Sequence, residues 1–233
     1  MKLKIVETGS KGNTALLIDK SGRMLMLDAG ASYDNMLRAI HYNISSVDGC
    51  LISHMGHKDH SRSVPELKKS YMDIYGADKT DNMSGRFGNW SFTAFSLEHD
   101  VDNLGYVVQN TIEAEHRIAY ISDTGFIRYN LPGITTYIVE ANYVDALLRE
   151  DADNLQNEGG RYLRTYSYHL SLERLLSYLR KADRSKLVNV VLVHLSDRYS
   201  DENLMISEVK KLIGVDVFAA HAGDLINLNS CPF

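Results

Sequence analysis

The 233-residue chain carries 25 Lys+Arg against 30 Asp+Glu, a formal charge of −5, and is 44% hydrophobic and 24% charged. These proportions exclude a largely disordered chain and leave no excess of basic residues for a long nucleic-acid-binding face. The two cysteines, Cys50 and Cys231, are too few for a disulfide framework, and no apolar run approaches the roughly 20 residues of a membrane helix; a soluble protein of the reducing cytosol, without a signal peptide, is expected.

Short apolar runs bounded by Gly, Ser and Asp predict paired strands at residues 3–6, 14–19 and 24–28, with a turn at 8–13. Met36, Leu37 and Ile40 share one face of a helix expected within 32–41. Residues 47–52 form a strand buried on both faces, and 64–69 a helix with Pro65 in its first turn. The stretch 78–90 is polar and contains Gly85 and Gly88, so a variable loop or hairpin is expected there. Strands resume at 92–95, 105–108, 117–121 and 136–139. A helix starts at 143–150, and the acidic, Gly-ended stretch 151–160 is expected as loop. Tyr162, Tyr166 and Tyr168 suit a strand in an interface or core, with base stacking as the alternative. Leu172, Leu175, Leu176 and Leu179 mark the clearest helix, 171–181; a strand at 188–193, a helix at 203–213 and a strand at 215–219 complete the chain. Strands first, then strand–helix alternation, predict one domain over 1–233 with two sheets and helices outside.

The residues that carry chemistry follow the strand at 47–52. His54, His57, Asp59 and His60 are four metal-capable side chains within residues 54–60. Imidazole with carboxylate suits zinc, manganese or iron better than calcium. So many donors crowd one small ion, so two adjacent ions sharing further ligands are expected. Candidates for those ligands end other strands: His99 after 92–97, Asp123 after 117–121, and His194 after the apolar run 190–193. His169, just before the clearest helix, can join from the side.

His57-Lys58-Asp59-His60, followed by His99, Asp123 and His194, resembles the metallo-β-lactamase superfamily, whose signature is HxHxDH followed by a later His, an Asp and a final His. Gly9-Ser10-Lys11-Gly12-Asn13, Leu27-Asp28-Ala29-Gly30, Ser122-Asp123-Thr124-Gly125 and Glu140-Ala141-Asn142-Tyr143 are similar to further patterns of that family. The likeness spans nearly the whole chain and departs at one place: His54 and His57 are three apart instead of two, which puts Met55 in strict register. A one-residue bulge made tolerable by the backbone freedom of Gly56 is expected to let His54 reach the site. The resemblance implies an α/β fold, a four-layer αββα sandwich. It puts His54, His57 and His99 on one zinc, Asp59, His60 and His194 on a second, Asp123 between them, and Asp28 behind a ligand loop.

His169-Leu170-Ser171 and His194-Leu195-Ser196-Asp197-Arg198-Tyr199 are similar to motifs of ribonuclease Z. The opening is also similar to YycJ/WalJ-type exonucleases, and the layout to small phage anti-Pycsar phosphodiesterases, which destroy cyclic pyrimidine mononucleotides. These likenesses imply a metal-dependent phosphodiesterase, a hydrolase with two Zn2+ per chain and Mn2+ as the alternative. They make Asp59 and Asp123 catalytic as well as ligating, His169 the general acid, and Arg198 and Asn142 substrate contacts. The acidic balance, the small chain and the lack of a Gly/Pro-rich arm favour 3′,5′-cyclic mononucleotides such as cyclic CMP and cyclic UMP. The setting implied is evasion of cyclic-nucleotide immune signalling in a bacterial or phage-infected cytosol. The alternatives are a DNA or RNA nuclease of the YycJ or ribonuclease Z type, and a non-catalytic nucleotide-binding relic. A homodimer is expected, with 78–90 and 151–164 the stretches that close the neighbouring site.

Overall fold

The strands form two sheets. The first holds β1 (Lys2–Glu7), β2 (Thr14–Ile18), β3 (Met24–Leu27), β4 (Val47–Leu51), β5 (Ile74–Tyr75) and β13 (Leu225–Asn227) in the order β13-β1-β2-β3-β4-β5. The second holds β6 (Ser84–Phe87), β7 (Trp90–Leu97), β8 (Asn103–Asn110), β9 (Arg117–Ile121), β10 (Thr136–Glu140), β11 (Asn189–Val193) and β12 (Asp216–Ala219) in the order β12-β11-β10-β9-β8-β7-β6. The computed structural model describes residues 1–76, 83–154 and 159–230.

Side chains alternate across each sheet with a period of two, and that alternation builds the layers. Leu17, Leu25, Leu27 and Leu51 of the first sheet meet Tyr106, Ile118, Ile138 and Val191 of the second in one buried cluster. Their neighbours Leu16, Met26 and Cys50 face outward onto Met36 of α1 (Tyr33–Ala39) and, beyond the one-turn α2 (Lys58–Ser61), onto Val64 and Leu67 of α3 (Val64–Lys69). On the far side Ile121, Val139, Val190 and Leu192 pack on Leu172, Leu175 and Leu179 of α6 (Leu172–Lys181) and on Met205 and Val209 of α7 (Glu202–Ile213). Each such Leu, fully buried, contributes about 1.5–3 kcal/mol. Helix, sheet, sheet, helix is the αββα sandwich expected. Among the described residues no helix is long and apolar enough to cross a membrane.

The hairpin alternative for 78–90 is borne out, and three readings further along the chain are corrected. Residues 84–87 pair with β7 as a regular hairpin strand, and a Cβ on Gly85 would lie 2.5 Å from the Phe92 ring, so glycine admits the cross-strand ring; residues 78–82 lie outside the described residues. Helix α4 (Asp145–Asn154) continues through residues expected as loop. Tyr162, Tyr166 and Tyr168 lie on a helix, α5 (Gly159–Tyr168), instead of a strand. One turn apart, Tyr162 and Tyr166 stack with centroids 6.1 Å apart and planes at 10°. Finally, β13 adds an unpredicted edge strand that closes on β1.

Buried Asp19, 4% exposed, links the two sheets. It accepts hydrogen bonds from the Ser21 hydroxyl at 2.6 Å, the backbone of Ser21 and Arg23 at 2.8 and 3.0 Å, and the amides of Asn89 and Asn110 at 3.3 and 3.2 Å. Burial pushes its carboxyl up, but the bonds from Ser21, Asn110, Arg23 and Asn89 together outweigh that and hold it below the ordinary 3.8. Asp19→Asn is expected to cost about 1–3 kcal/mol in urea unfolding at neutral pH. The folded value is the lower one, so the contribution is present above the unfolded value and is lost as pH falls through the folded one. The difference between variant and wild type should therefore narrow below the ordinary 3.8.

Strands β3 and β4 run parallel, as do β9, β10 and β11. Their carboxyl ends, where open α/β sheets place ligands, lead into Asp28, Ser53-His54, Asp123, Glu140 and His194.

Candidate metal centre

The strand ends are shaped by strained backbone and close approach. Asp28, Asp123 and His194 take left-handed conformations, with φ of 57°, 52° and 56°, which turn their side chains sharply off the strands. The opening turn holds the loop that carries Asp59 and His60: Asn13 N donates to Asp59 O at 2.6 Å, and Ala29 N to His60 O at 2.8 Å. A Cβ on Gly30 would lie 1.6 Å from Asp59 O, so only glycine allows this contact. From the other side, His194 N donates to Thr8 Oγ1 at 3.0 Å.

The inserted residue is accommodated as expected, but by another means. His54 is fully buried and Met55 is 41% exposed, so the chain turns methionine out and histidine in. Gly56 has no positive φ. What it supplies is space, since a Cβ there would lie 2.7 Å from the Val101 side chain.

Most of the imidazoles are held from behind with a lone pair facing inward. His60 Nδ1 donates to Asp28 Oδ2 at 2.7 Å, and its Nε2, 3.3 Å from Asp123 Oδ2, accepts from the Asn13 amide at 2.9 Å. His54 Nδ1 meets Ser53 Oγ at 3.0 Å, with the Ser53 hydroxyl donating to Asp28 Oδ2 at 3.0 Å. His99 Nδ1 donates to Tyr168 O at 3.3 Å, and His194 Nδ1 to Glu140 Oε1 at 2.8 Å. Asp28 also accepts from Tyr120 OH at 2.5 Å and Ser53 N at 2.6 Å. Such backing fixes tautomer and ring orientation in metal sites.

Two donor sets meet at Asp123, and a third, Asp123 with Glu140, His169 and His194, overlaps the second. His54, His57, His99 and Asp123 form the first, and Asp59, His60, Asp123 and His194 the second, each with its ligand atoms within 4.8 Å of one another. In the first set His54 Nε2 and His99 Nε2 lie 3.2 and 3.3 Å from His57 Nδ1. One proton on His57 serves only one of those contacts well, whereas ligands about 2.0–2.1 Å from a tetrahedral ion stand roughly 3.3–3.4 Å apart. The electrostatics agree. Burial lowers the His60 imidazole, but Asp123 and Asp28 outweigh it and raise it well above its ordinary range; burial lowers His194 too, and Asp123, Asp59 and Glu140 outweigh it, raising it to about 10. Burial, with His60 nearby, drives His54 down to about 3. The carboxylates thus hold the centre short of positive charge, which a divalent cation can supply.

Beside this centre lies a buried carboxylate–imidazole pair. Glu140, fully buried at the end of β10, accepts from His169 Nδ1 at 2.6 Å, from His194 Nδ1, and from the backbone of Thr124 and Leu170, both at 3.1 Å. Burial depresses the His169 imidazole, but Glu140 outweighs that and raises it. Its Nε2 makes no hydrogen bond among the described residues. In the sequence Glu140 carries the same signal as His194, a polar group ending a buried strand, but its partners are visible only in the fold. Asn142, expected to touch substrate, donates its amide to His194 O at 2.8 Å and so braces a ligand loop while lining the cavity. Arg198 lines the same cavity, of about 580 Å³, together with Lys58, His169 and a residue not anticipated, Arg164.

A family model described as Anti-Pycsar protein Apyc1 matches residues 6–83. The Anti-Pycsar protein Apyc1 of Bacillus phage 010DV004 is 24% identical over 255 residues, which cover 86% of this chain and 91% of that protein. The metallo-β-lactamase fold protein YhfI from Bacillus subtilis superposes with a TM-score of 0.70 at 15% identity, covering 97% of this chain and 98% of that one. Human tRNase Z, short form, gives 0.64 at 15% identity over 98% and 100% of the two chains. Zn(2+)-bound PqqB from Methylobacterium extorquens gives 0.68 at 13% identity over 98% and 100%.

Proposed function

We propose that this chain, which has the metallo-β-lactamase fold, is a zinc-dependent phosphodiesterase that hydrolyses small 3′,5′-cyclic nucleotides, cyclic CMP and cyclic UMP above all. The observation that carries the proposal is the pair of donor sets sharing Asp123, set against the Glu140–His169 pair within one cavity. The fold and these sets support a metal-dependent hydrolase. The likeness to an Anti-Pycsar protein, the 580 Å³ cavity and the charge of −5 favour a small cyclic nucleotide over a polymer.

His54, His57, His99 and Asp123 would hold one ion and Asp59, His60, His194 and Asp123 a second. Bound there, divalent ions supply a water of lowered pKa and offset charge on the phosphate. Asp59 stands on the cavity side and orients what enters. His169, oriented by Glu140 through Nδ1, presents Nε2 to give a proton to the leaving alkoxide. Asn142 and Asp28 keep His194 and His60 in place. The homodimer expected from small relatives belongs to the proposal, and light scattering of the purified protein tests it.

Zinc-loaded protein incubated with cyclic CMP, cyclic UMP, cyclic AMP, single-stranded DNA and RNA should convert the cyclic pyrimidine nucleotides to mononucleotides and leave the polymers intact. Cleaved polymers beside intact cyclic nucleotides would make the chain a nuclease. No turnover with well under two metals per chain would make it a nucleotide-binding relic.

A further inference from the structure

We propose that Arg164 grips the substrate phosphate and that Asp100 positions it, an assignment that rests on the phosphodiesterase reading of this site. Arg164 projects from α5 into the cavity wall. Its Nη2 donates to Asp100 Oδ2 at 3.2 Å and stands 3.1 Å from His57 Nε2. His57 Nε2 is the ring nitrogen turned away from His54 and His99, so the guanidinium stands one imidazole ring from the converging donors. Asp100 Oδ1 lies 3.1 Å from His99 Nε2 and 3.4 Å from His57 Nε2. One carboxylate therefore stands between the arginine and two histidines of the first donor set.

The side chain is placed but not used up. Arg164 is 54% exposed, and its Nε and Nη1 have no partner among the described residues. Its helix is anchored where position matters. Arg174 Nη1 donates to Tyr166 O at 2.7 Å and Gly125 O at 3.1 Å, and a Cβ on Gly125 would lie 2.1 Å from Ser167 O. The end of α5 is thus fixed to the loop that follows Asp123, and Arg164 is held in register with the centre.

Charge makes the role specific. Asp100 lies beside a cavity meant for an anion, and an unpaired carboxylate there repels phosphate. Arg164 offers donors and masks that charge together. Guanidinium suits phosphate oxygens in a way a lysine ammonium does not.

Zinc-loaded wild type, Arg164→Ala, Arg164→Lys, Asp100→Asn and the Arg164→Ala/Asp100→Asn double variant are compared by zinc content, by kcat and KM for cyclic CMP, and by calorimetric titration with inorganic phosphate. Arg164→Ala should raise KM and the phosphate dissociation constant by about 10- to 100-fold with kcat changed much less and zinc content retained. Arg164→Lys should recover part of the loss, as should adding Asp100→Asn to Arg164→Ala. Unchanged KM and phosphate affinity in Arg164→Ala, or a loss that only follows lost zinc, overturns the proposal. If wild type turns over no phosphodiester, the phosphodiesterase reading falls by itself, and the phosphate titration still decides the role of Arg164.

Discussion

Asp123→Asn is expected to strip the centre of metal and to lower kcat/KM for phosphodiester hydrolysis by roughly a thousandfold or more, since several kcal/mol of charge stabilisation depend on the ions. Asparagine keeps the shape and tolerates the φ of 52° at this position, so the fold should persist. What disappears is the charge. Asp123 Oδ2 lies 3.3 Å from His60 Nε2 and 3.9 Å from both His54 Nε2 and His99 Nε2, and Oδ1 lies 3.0 Å from His194 Nδ1. Burial raises its carboxyl, but His194 and His60 outweigh that and hold it well below the ordinary range, so it is a carboxylate throughout the working pH range. Elemental analysis and steady-state kinetics check the result together. A variant with full metal content and the wild-type rate would show that Asp123 is not shared.

Glu140→Gln, assayed at saturating zinc because the His194 brace is weakened too, is expected to lower kcat by roughly 10²- to 10⁴-fold, the range for loss of positioned acid–base catalysis. Glutamine has one acceptor oxygen where Glu140 has two. If that oxygen keeps the backbone donors of Thr124 and Leu170, an amide N–H₂ faces His169 Nδ1 and His194 Nδ1, which are donors already. The His169 ring then loses its brace and the charge that raised it. The sign follows. His169 lies above its ordinary 6.5 because Glu140 outweighs burial, so the protonated form persists to higher pH in wild type. The stability this lends is full below the unfolded value and lost as pH rises through the folded one. In the variant the alkaline limb of the pH–rate profile should move to lower pH. A limb that stays in place while kcat falls would remove His169 from the role of general acid.

Much of the centre was legible in sequence because its donors are clustered or end strongly apolar strands. His54 to His60 stand together, and Asp123 and His194 each follow a run whose burial is unmistakable. Glu140 was hidden by its neighbours, since a lone glutamate closing Thr-Tyr-Ile-Val reads as the solvated end of a strand, yet the structure buries it completely. Arg164 carries no local signal at all. It matters because α5 folds back over the centre, and α5 itself was obscured by glycines that suggest a loop and tyrosines that suggest a strand. Tertiary packing, with Gly125 under Ser167 and Arg174 under Tyr166, overrides those preferences. The missed strands β5 and β13 are two and three residues long, too short to show a period. The role of Gly56 was misjudged for a similar reason: whether a glycine supplies a positive φ or merely room depends on what packs against it, here Val101.

The most direct measurement is an anomalous difference map from crystals of the zinc-loaded protein, recorded at the zinc absorption edge. Two peaks about 3.5–4 Å apart are predicted, one among His54, His57 and His99 and one among Asp59, His60 and His194, with the Asp123 carboxylate between them. A map with no peak inside these side chains, or with its peaks elsewhere on the molecule, would contradict the account.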